Sequence, residues 1–278
     1  MSVVNTNVNA SIAKQSMVVN QRALSTSLEQ LSTGKRINSA SDDAAGLAIG
    51  TKLGSRIISL DMAVRNANDG ISLLQTADGA AGVLSDMLFR VRELAIQSAN
   101  DTNSSTDRSA IQTEVASLQS QIGNVLANTE WNGMPVLRGG VGSSGTVAFH
   151  IGPASTDSVS LNMPTLDTGS LASAQTTGAV DVSTRLGATN SLSVIDNALN
   201  EISSARSLWG ATSNRLMHAA DNAANVSLNS SASRSRIMDT DYAQSTAELA
   251  RAMILDQAGA AMLSQANQQP MYVLSLLS

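Results

Sequence analysis

Residues 231–278 read SASRSRIMDTDYAQSTAELARAMILDQAGAAMLSQANQQPMYVLSLLS, and residues 1–50 read MSVVNTNVNASIAKQSMVVNQRALSTSLEQLSTGKRINSASDDAAGLAIG. Both stretches carry a helical pattern, both are rich in Ala, Ser, Asn and Gln, and neither holds a catalytic constellation. Narrow apolar stripes run along each: Leu24, Leu28 and Leu31 at one end, Leu255, Ala258 and Met262 at the other. Two such ends are expected to pair as strands of one coiled coil, brought together by a chain that goes out and returns. An isolated helix of this composition has little apolar area to offset its ordering entropy. The ends are therefore expected to be disordered alone and to fold on association; an ordinary intramolecular helix pair is the other reading.

Inward from these ends, residues 44–99 carry a long helical pattern. Leu74, Ala77, Ala81, Leu84, Leu88, Val91 and Ala95 alternate spacings of three and four, a heptad seam. Ser41, followed by Asp42 and Asp43, is the expected N-cap. A polar break at 100–108 precedes a second seam, Ile111, Val115, Leu118, Ile122 and Val125. Asn132-Gly133 and Pro135 stop that helix with a turn. Residues 136–184 are rich in Gly, Ser and Thr and hold alternating runs at 146–151 and 158–161, read as short strands around hairpins and then an irregular stretch. Helix returns near Ala188 with Leu192, Ile195, Leu199 and Ile202 in phase, followed by Trp209 and Leu216. A terminal helix is expected from Asp239 or Asp241 to just before Pro270. The fold class is mainly α: an elongated coiled-coil helical bundle with a small β-hairpin region and paired N- and C-terminal helices.

Composition supports that class and excludes others. Aromatic residues are only 2% of 278, so Ala, Leu, Ile, Val and Met must carry the burial, which suits closely spaced helices better than a thick globular core. Net charge is −5 with only 17 Lys and Arg and no basic run, which disfavours nucleic-acid binding. The absence of cysteine removes disulfides, thiolate metal sites and thiol catalysis. No apolar run is long enough for a membrane span, and the N-terminus lacks the pattern of a cleaved signal peptide. The two histidines, His150 and His218, form no metal-binding pair. GxSxG, P-loop and GxGxxG patterns are missing too, so no enzyme and no cofactor is expected.

Six blocks taken together resemble bacterial flagellin. They are SLEQLSTGKRINSASDDAAGLAI (27–49), RNANDGISLLQTADGA (65–80), RVRELAIQSAN (90–100), WNGMPVL (131–137), ASRSRIMDTDYA (232–243) and QANQQPMYVLSLLS (265–278). The resemblance covers roughly residues 1–165 and 188–278 in the family's own order. It implies a structural subunit that polymerises into the extracellular flagellar filament used for swimming, exported without a cleaved signal. It also implies an inner terminal coiled-coil domain, residues 1–43 and 236–278, lining a central channel on which the apolar tail 272–278 packs. An outer core domain would span 44–235, with helices at 44–99, 105–128 and 188–235 and a hairpin insert at about 131–184. Only residues 166–187 stand where longer members insert surface domains, so the chain is similar to a short form.

The implied partners are further flagellin subunits, an export chaperone on the C-terminal helix, the type III flagellar export apparatus and the filament cap. A Toll-like receptor is a further partner, because the segment matching its contact surface in recognised flagellins is present. On that basis Arg90, Arg92, Glu93, Leu94 and Glu114 are expected to form an exposed ladder at a subunit or receptor interface, against the plainer reading of a solvated charged face. Phe89 stands where relatives commonly carry a polar residue, and is either an axial contact or part of the seam beside Leu88. Ser and Thr of residues 143–184 are candidate O-glycosylation sites, since the insert is expected to face solvent. A hook–filament junction protein, and an adhesin or immune ligand, are the rival functions.

Overall fold

The computed structural model describes residues 6–142, 145–176 and 178–275, with side chains as far as Gln268. The chain divides into two units, residues 58–227 and residues 1–57 with 228–278. Six helices and two small hairpins are described: α1 (Val8–Thr33), α2 (Ala44–Ala99), α3 (Ser105–Asn128), α4 (Ser170–Gln175), α5 (Arg185–Met238) and α6 (Tyr242–Ser275), with β1 (Glu130–Trp131), β2 (Met134–Pro135), β3 (Thr146–His150) and β4 (Ser158–Asn162). The fold is mainly helical with a small β region, as the heptads imply.

In the unit of residues 58–227, α2, α3 and α5 supply one apolar core. Every position of the α2 seam from Leu74 to Ala95 is buried. The seam of α3 runs Ile111, Val115, Gln119, Ile122 and Leu126, so Leu118 and Val125 lie half-buried beside it rather than in it. The seam of α5 alternates small and large residues, Ala188, Ser191, Ile195, Ala198, Ile202, Ala205, Trp209, Thr212 and Leu216, all buried. Leu192 and Leu199 only flank it. Small side chains at every second position let the backbones approach, and the larger ones fill the space between.

Local signals set the helix ends. Ser104 and Asp107 cap α3 reciprocally, each side chain accepting from the other's backbone N–H. For α2 the cap is Asp43, whose carboxylate accepts from the Gly46 N–H at 2.8 Å. This corrects the expectation of Ser41, which instead bonds Ser39 through the two hydroxyls. Asp42 stays outside the helix, accepting from the Asn38 and Ser39 N–H groups. A carboxylate reaches a third-residue amide as well as a hydroxyl does, so three consecutive candidates leave the choice to the loop.

Asn132 and Gly133 both take positive φ, 51° and 74°, in the tight turn joining β1 to β2. β3 and β4 pair antiparallel, with Val147 opposite Leu161 and Phe149 opposite Val159. The stretch after β4 is not merely irregular. Met163, Leu166, Leu171, Ala174, Val180 and Val182 are all buried, and α4 is held at its start by Glu201 of α5, whose carboxylate accepts from the Ser170 and Leu171 N–H groups. The buried Gln119 amide donates to the carbonyls of Ala174 and Thr176, and Gln112 accepts from the Val182 N–H. The insert thus turns its apolar residues into the core and leaves chiefly its polar ones outside.

In the other unit, α1 and α6 run antiparallel, with Asn7 near Ala266 and Asn20 near Ala252. Gly34 ends α1 in the left-handed region at φ 70°. The chain then pairs with the end of α5 and the link to α6, through Arg36 N–H to Met238 O and Thr240 N–H to Gly34 O. α6 continues through Pro270 to Ser275 and does not stop before the proline, as expected from sequence. A helical proline forfeits one backbone donor and is tolerated where the freed carbonyl finds another partner.

Candidate functional site

Two exposed surfaces stand out, one in each unit. The first is the outer face of the α1 and α6 pair. Its contact is thin: Ser27 is the only residue of α1 that is fully buried, and Met17 packs against Gly259. A rather apolar set is left outside, with Ile12 60%, Ile254 65% and Met262 64% exposed. Of the sequence-chosen stripe residues, Leu24 and Leu31 are half-buried, whereas Leu28, Leu255, Ala258 and Met262 are exposed. Ile12, Met17, Leu255, Ala258 and Met262 line an open groove of about 590 Å³. Exposed apolar side chains grouped in this way make the face a candidate interaction surface.

The second surface lies on α2, α3 and α5. Arg90 forks to Glu114 of α3, with Nη2 at 2.8 Å and Nε at 3.0 Å, and reaches Glu93 at 3.2 Å. Hydrogen bonding to Glu114 is the largest of the effects that raise the Arg90 guanidinium above its ordinary range. Arg92 turns the other way, to Asp196 of α5 at 2.8 Å, and that bond likewise raises it. The expected single ladder is thus two separate ion-pair groups, because residues two apart on a helix do not share a face.

Leu94 corrects the ladder further. It is buried at 2% exposure, because it follows Val91 by three and continues the seam inward. Phe89 is 53% exposed and takes no part in that seam. It borders a groove of about 890 Å³ between α2 and α5, along with Leu74, Asp78, Asn200, Arg206 and Trp209. Arg206 and Asp78 pair across that groove at 2.7 Å. Sequence reasoning missed both Arg206–Asp78 and Arg92–Asp196, since each joins residues more than a hundred positions apart. His150 and His218 are exposed, and among the described residues no cluster of three or more His, Asp or Glu could hold a metal ion.

Residues 4–141 match the family described as "Bacterial flagellin N-terminal helical region", and residues 192–277 match "Bacterial flagellin C-terminal helical region". The chain belongs to the bacterial flagellin family. This flagellin is 40% identical over 275 residues to the flagellin of Halalkalibacterium halodurans, covering 99% of both chains. It is 37% identical over 301 residues to that of Bacillus subtilis, again covering 99% of each. The crystal structure of Bacillus cereus flagellin superposes with a TM-score of 0.50 at 29% identity, covering 57% of this chain and 88% of the other. Membership makes this flagellin a structural subunit of the extracellular flagellar filament, with a role in motility, and not an enzyme. Among the described residues no helix is long and apolar enough to cross a membrane. Side chains of the tail 272–278 lie outside the described residues, so its expected packing on a channel is not part of this geometry.

Proposed function

We propose that the α1 and α6 pair is the element through which this flagellin polymerises, and that its outer apolar face is covered by neighbouring subunits. The observation that carries the reading is the exposed set Ile12, Ile254, Leu255 and Met262 on a pair whose own contact is thin. In this reading residues 1–43 and 236–278 form the inner domain of the filament and gain order on assembly. The pair buries too little within one chain to offset the entropy of ordering two long helices. The subunit leaves the cell through the type III flagellar export apparatus with a chaperone on α6, and is added beneath the filament cap.

Seeded elongation tests this. Purified monomer is mixed with short filament fragments and followed by sedimentation, electron microscopy and circular dichroism. Growth of a hollow tube with a rise in helicity supports the proposal; a monomer that stays soluble beside intact seeds refutes it.

A second surface role rests on the Arg90–Glu114–Glu93 group, exposed as an ordered charged constellation beside Phe89. It would serve a subunit contact along the filament and recognition of the monomer by a Toll-like receptor. Arg90→Glu should weaken both elongation and receptor activation. Unchanged elongation would remove the subunit contact, and unchanged receptor signalling would remove the recognition. Attachment of glycans is restricted in this reading to the exposed Ser and Thr of residues 143–184.

A further inference from the structure

Inside α6, ahead of its last turn, one carbonyl lacks a donor from its own helix. Ala266 precedes Pro270 by four residues, and both lie within α6. In an α-helix the carbonyl of residue i accepts from the N–H of residue i+4, and proline has no N–H to give. The Ala266 carbonyl therefore lacks its regular helical donor. Asn7, at the far end of the chain sequence, supplies one: its Nδ2 donates to Ala266 O at 2.7 Å.

The same amide also does a second task. Asn7 is the N-cap of α1, and its Oδ1 accepts from the Ala10 N–H at 3.0 Å. The cap turns Oδ1 toward α1 and leaves Nδ2 directed at α6, so the two bonds use the two ends of one planar group. Elsewhere along the pair, Asn20 Nδ2 donates to Ala252 O at 2.8 Å. There, however, residue 256 of the helix is Asp256, which has a backbone N–H, so Ala252 keeps an ordinary helical donor. Asn20 adds a bond to a satisfied carbonyl; Asn7 completes an orphaned one.

We infer that Asn7 is a positioning residue for assembly: it locks the register of α1 against α6 by engaging the carbonyl that Pro270 leaves open, and so shapes the face presented to the next subunit. A slip of one residue along either helix would move the amide off the only carbonyl near it that needs a donor. Leaving a part-buried acceptor unpaired costs more than losing a bond between groups that have other partners, so this site is more selective than Asn20. The inference rests on the proposal that the α1 and α6 pair is the assembly element.

The test is the critical concentration in seeded elongation of the full chain. Asn7→Ser keeps a cap acceptor and removes the bridging donor. It should raise the critical concentration about fivefold, the size of one neutral hydrogen bond. Pro270→Ala returns an N–H to Ala266, and in that background Asn7→Ser should cost only about twofold, as the loss of a bond to a satisfied carbonyl does. Asn20→Ser should cost about twofold in both backgrounds.

Asn7→Asp separates the cap from the bridge without touching Pro270. Aspartate is an equally good N-cap, but it places a carboxylate oxygen against a carbonyl, so it should assemble worse than Asn7→Ser. The inference is overturned if Asn7→Asp elongates as the wild type does, because capping alone then explains Asn7. It is also overturned if Asn7→Ser costs the same with and without Pro270. Failure of the unaltered protein to elongate seeds would instead remove the assembly proposal beneath it.

Discussion

The unit of residues 58–227 and the α1 and α6 pair are both mainly helical but are built from opposite kinds of contact. The first surrounds Trp209, Leu84, Leu88, Ile122 and Leu137, each fully buried. The second meets across Ser27, Met17 and Gly259, and leaves Ile254, Leu255 and Met262 outside. A core of the first kind is complete within one chain, since burial of each large side chain stabilises by about 1.5–3 kcal/mol. A contact of the second kind leaves apolar surface outside for a partner to cover. A single sequence thus encodes a body with a full core and a pair with a thin one, and in the proposed function that difference separates folding from assembly.

The largest expected effect tests the body with the full core. Trp209→Ala should destabilise residues 58–227 by about 3–5 kcal/mol in monomer thermal unfolding. The Trp209 indole N–H has no hydrogen-bond partner, so Trp209→Phe should cost much less than this, the loss of ring area being offset by removal of an unpaired donor. Next comes Gly70→Ala. A methyl there would sit 2.8 Å from the Phe149 ring and 3.0 Å from Leu216, and should cost about 1–3 kcal/mol by overpacking.

Gly79→Ala and Gly82→Ala carry the opposite sign. Nothing lies within 4 Å of a methyl at either position. Each should stabilise the monomer by about 0.5–1 kcal/mol through helix propensity. A stabilised monomer that elongates poorly would show that a neighbouring subunit uses that space. The smallest monomer effect belongs to the pair with the thin core: Leu255→Ser should leave the melting of residues 58–227 unchanged within about 0.5 kcal/mol while raising the critical concentration for assembly. An equal loss in both measurements would dissolve the contrast between the two regions.

Acid probes the loops and caps. Asp42 is held low by the Ser39 and Asn38 N–H groups, Asp107 by Ser104, Asp167 chiefly by Gln175, and Asp181 by Ser183. A carboxylate whose folded pKa lies below its ordinary 3.8 adds stability that is full above that value and is lost as pH falls through the folded one. Monomer stability should therefore change little through these groups from pH 7 to 5, and decline below about pH 4. Ser104→Ala, removing the cap beside Asp107, should cost about 1 kcal/mol and flatten part of that decline.

How much of this was legible in the sequence depended on side-chain size. The α2 seam was fully readable because Leu, Val and Ala mark it without competition. In α5 the search for large apolar residues chose Leu192 and Leu199, whereas the packed positions are Ser191 and Ala198, one residue earlier. Close helix approach selects small residues, and a hydrophobicity pattern does not see them. The same blindness chose Leu118 over Gln119, whose amide is buried because two carbonyls of the insert accept from it. α4 escaped notice since a helix of 6 residues has hardly any period to detect. Leu94 was grouped with its charged neighbours by sequence proximity, although three residues past Val91 it was bound to face inward. The proposed assembly surface was legible as a class of pattern at the two termini, but which of its leucines face out was not.

The bond from Asn7 to Ala266 joins residues 259 positions apart, and that separation governs time as well as space. Closing so long a loop is entropically slow compared with forming the nearer contacts, such as Arg90 with Glu114 at a separation of 24. The helical body can thus form while the ends are still apart, and the pair that α1 and α6 make is the last thing a chain can complete. In the proposed assembly, the joining element is split between the two ends of the sequence and cannot form from either end alone. Joining through that pair then has to wait for both ends of the chain.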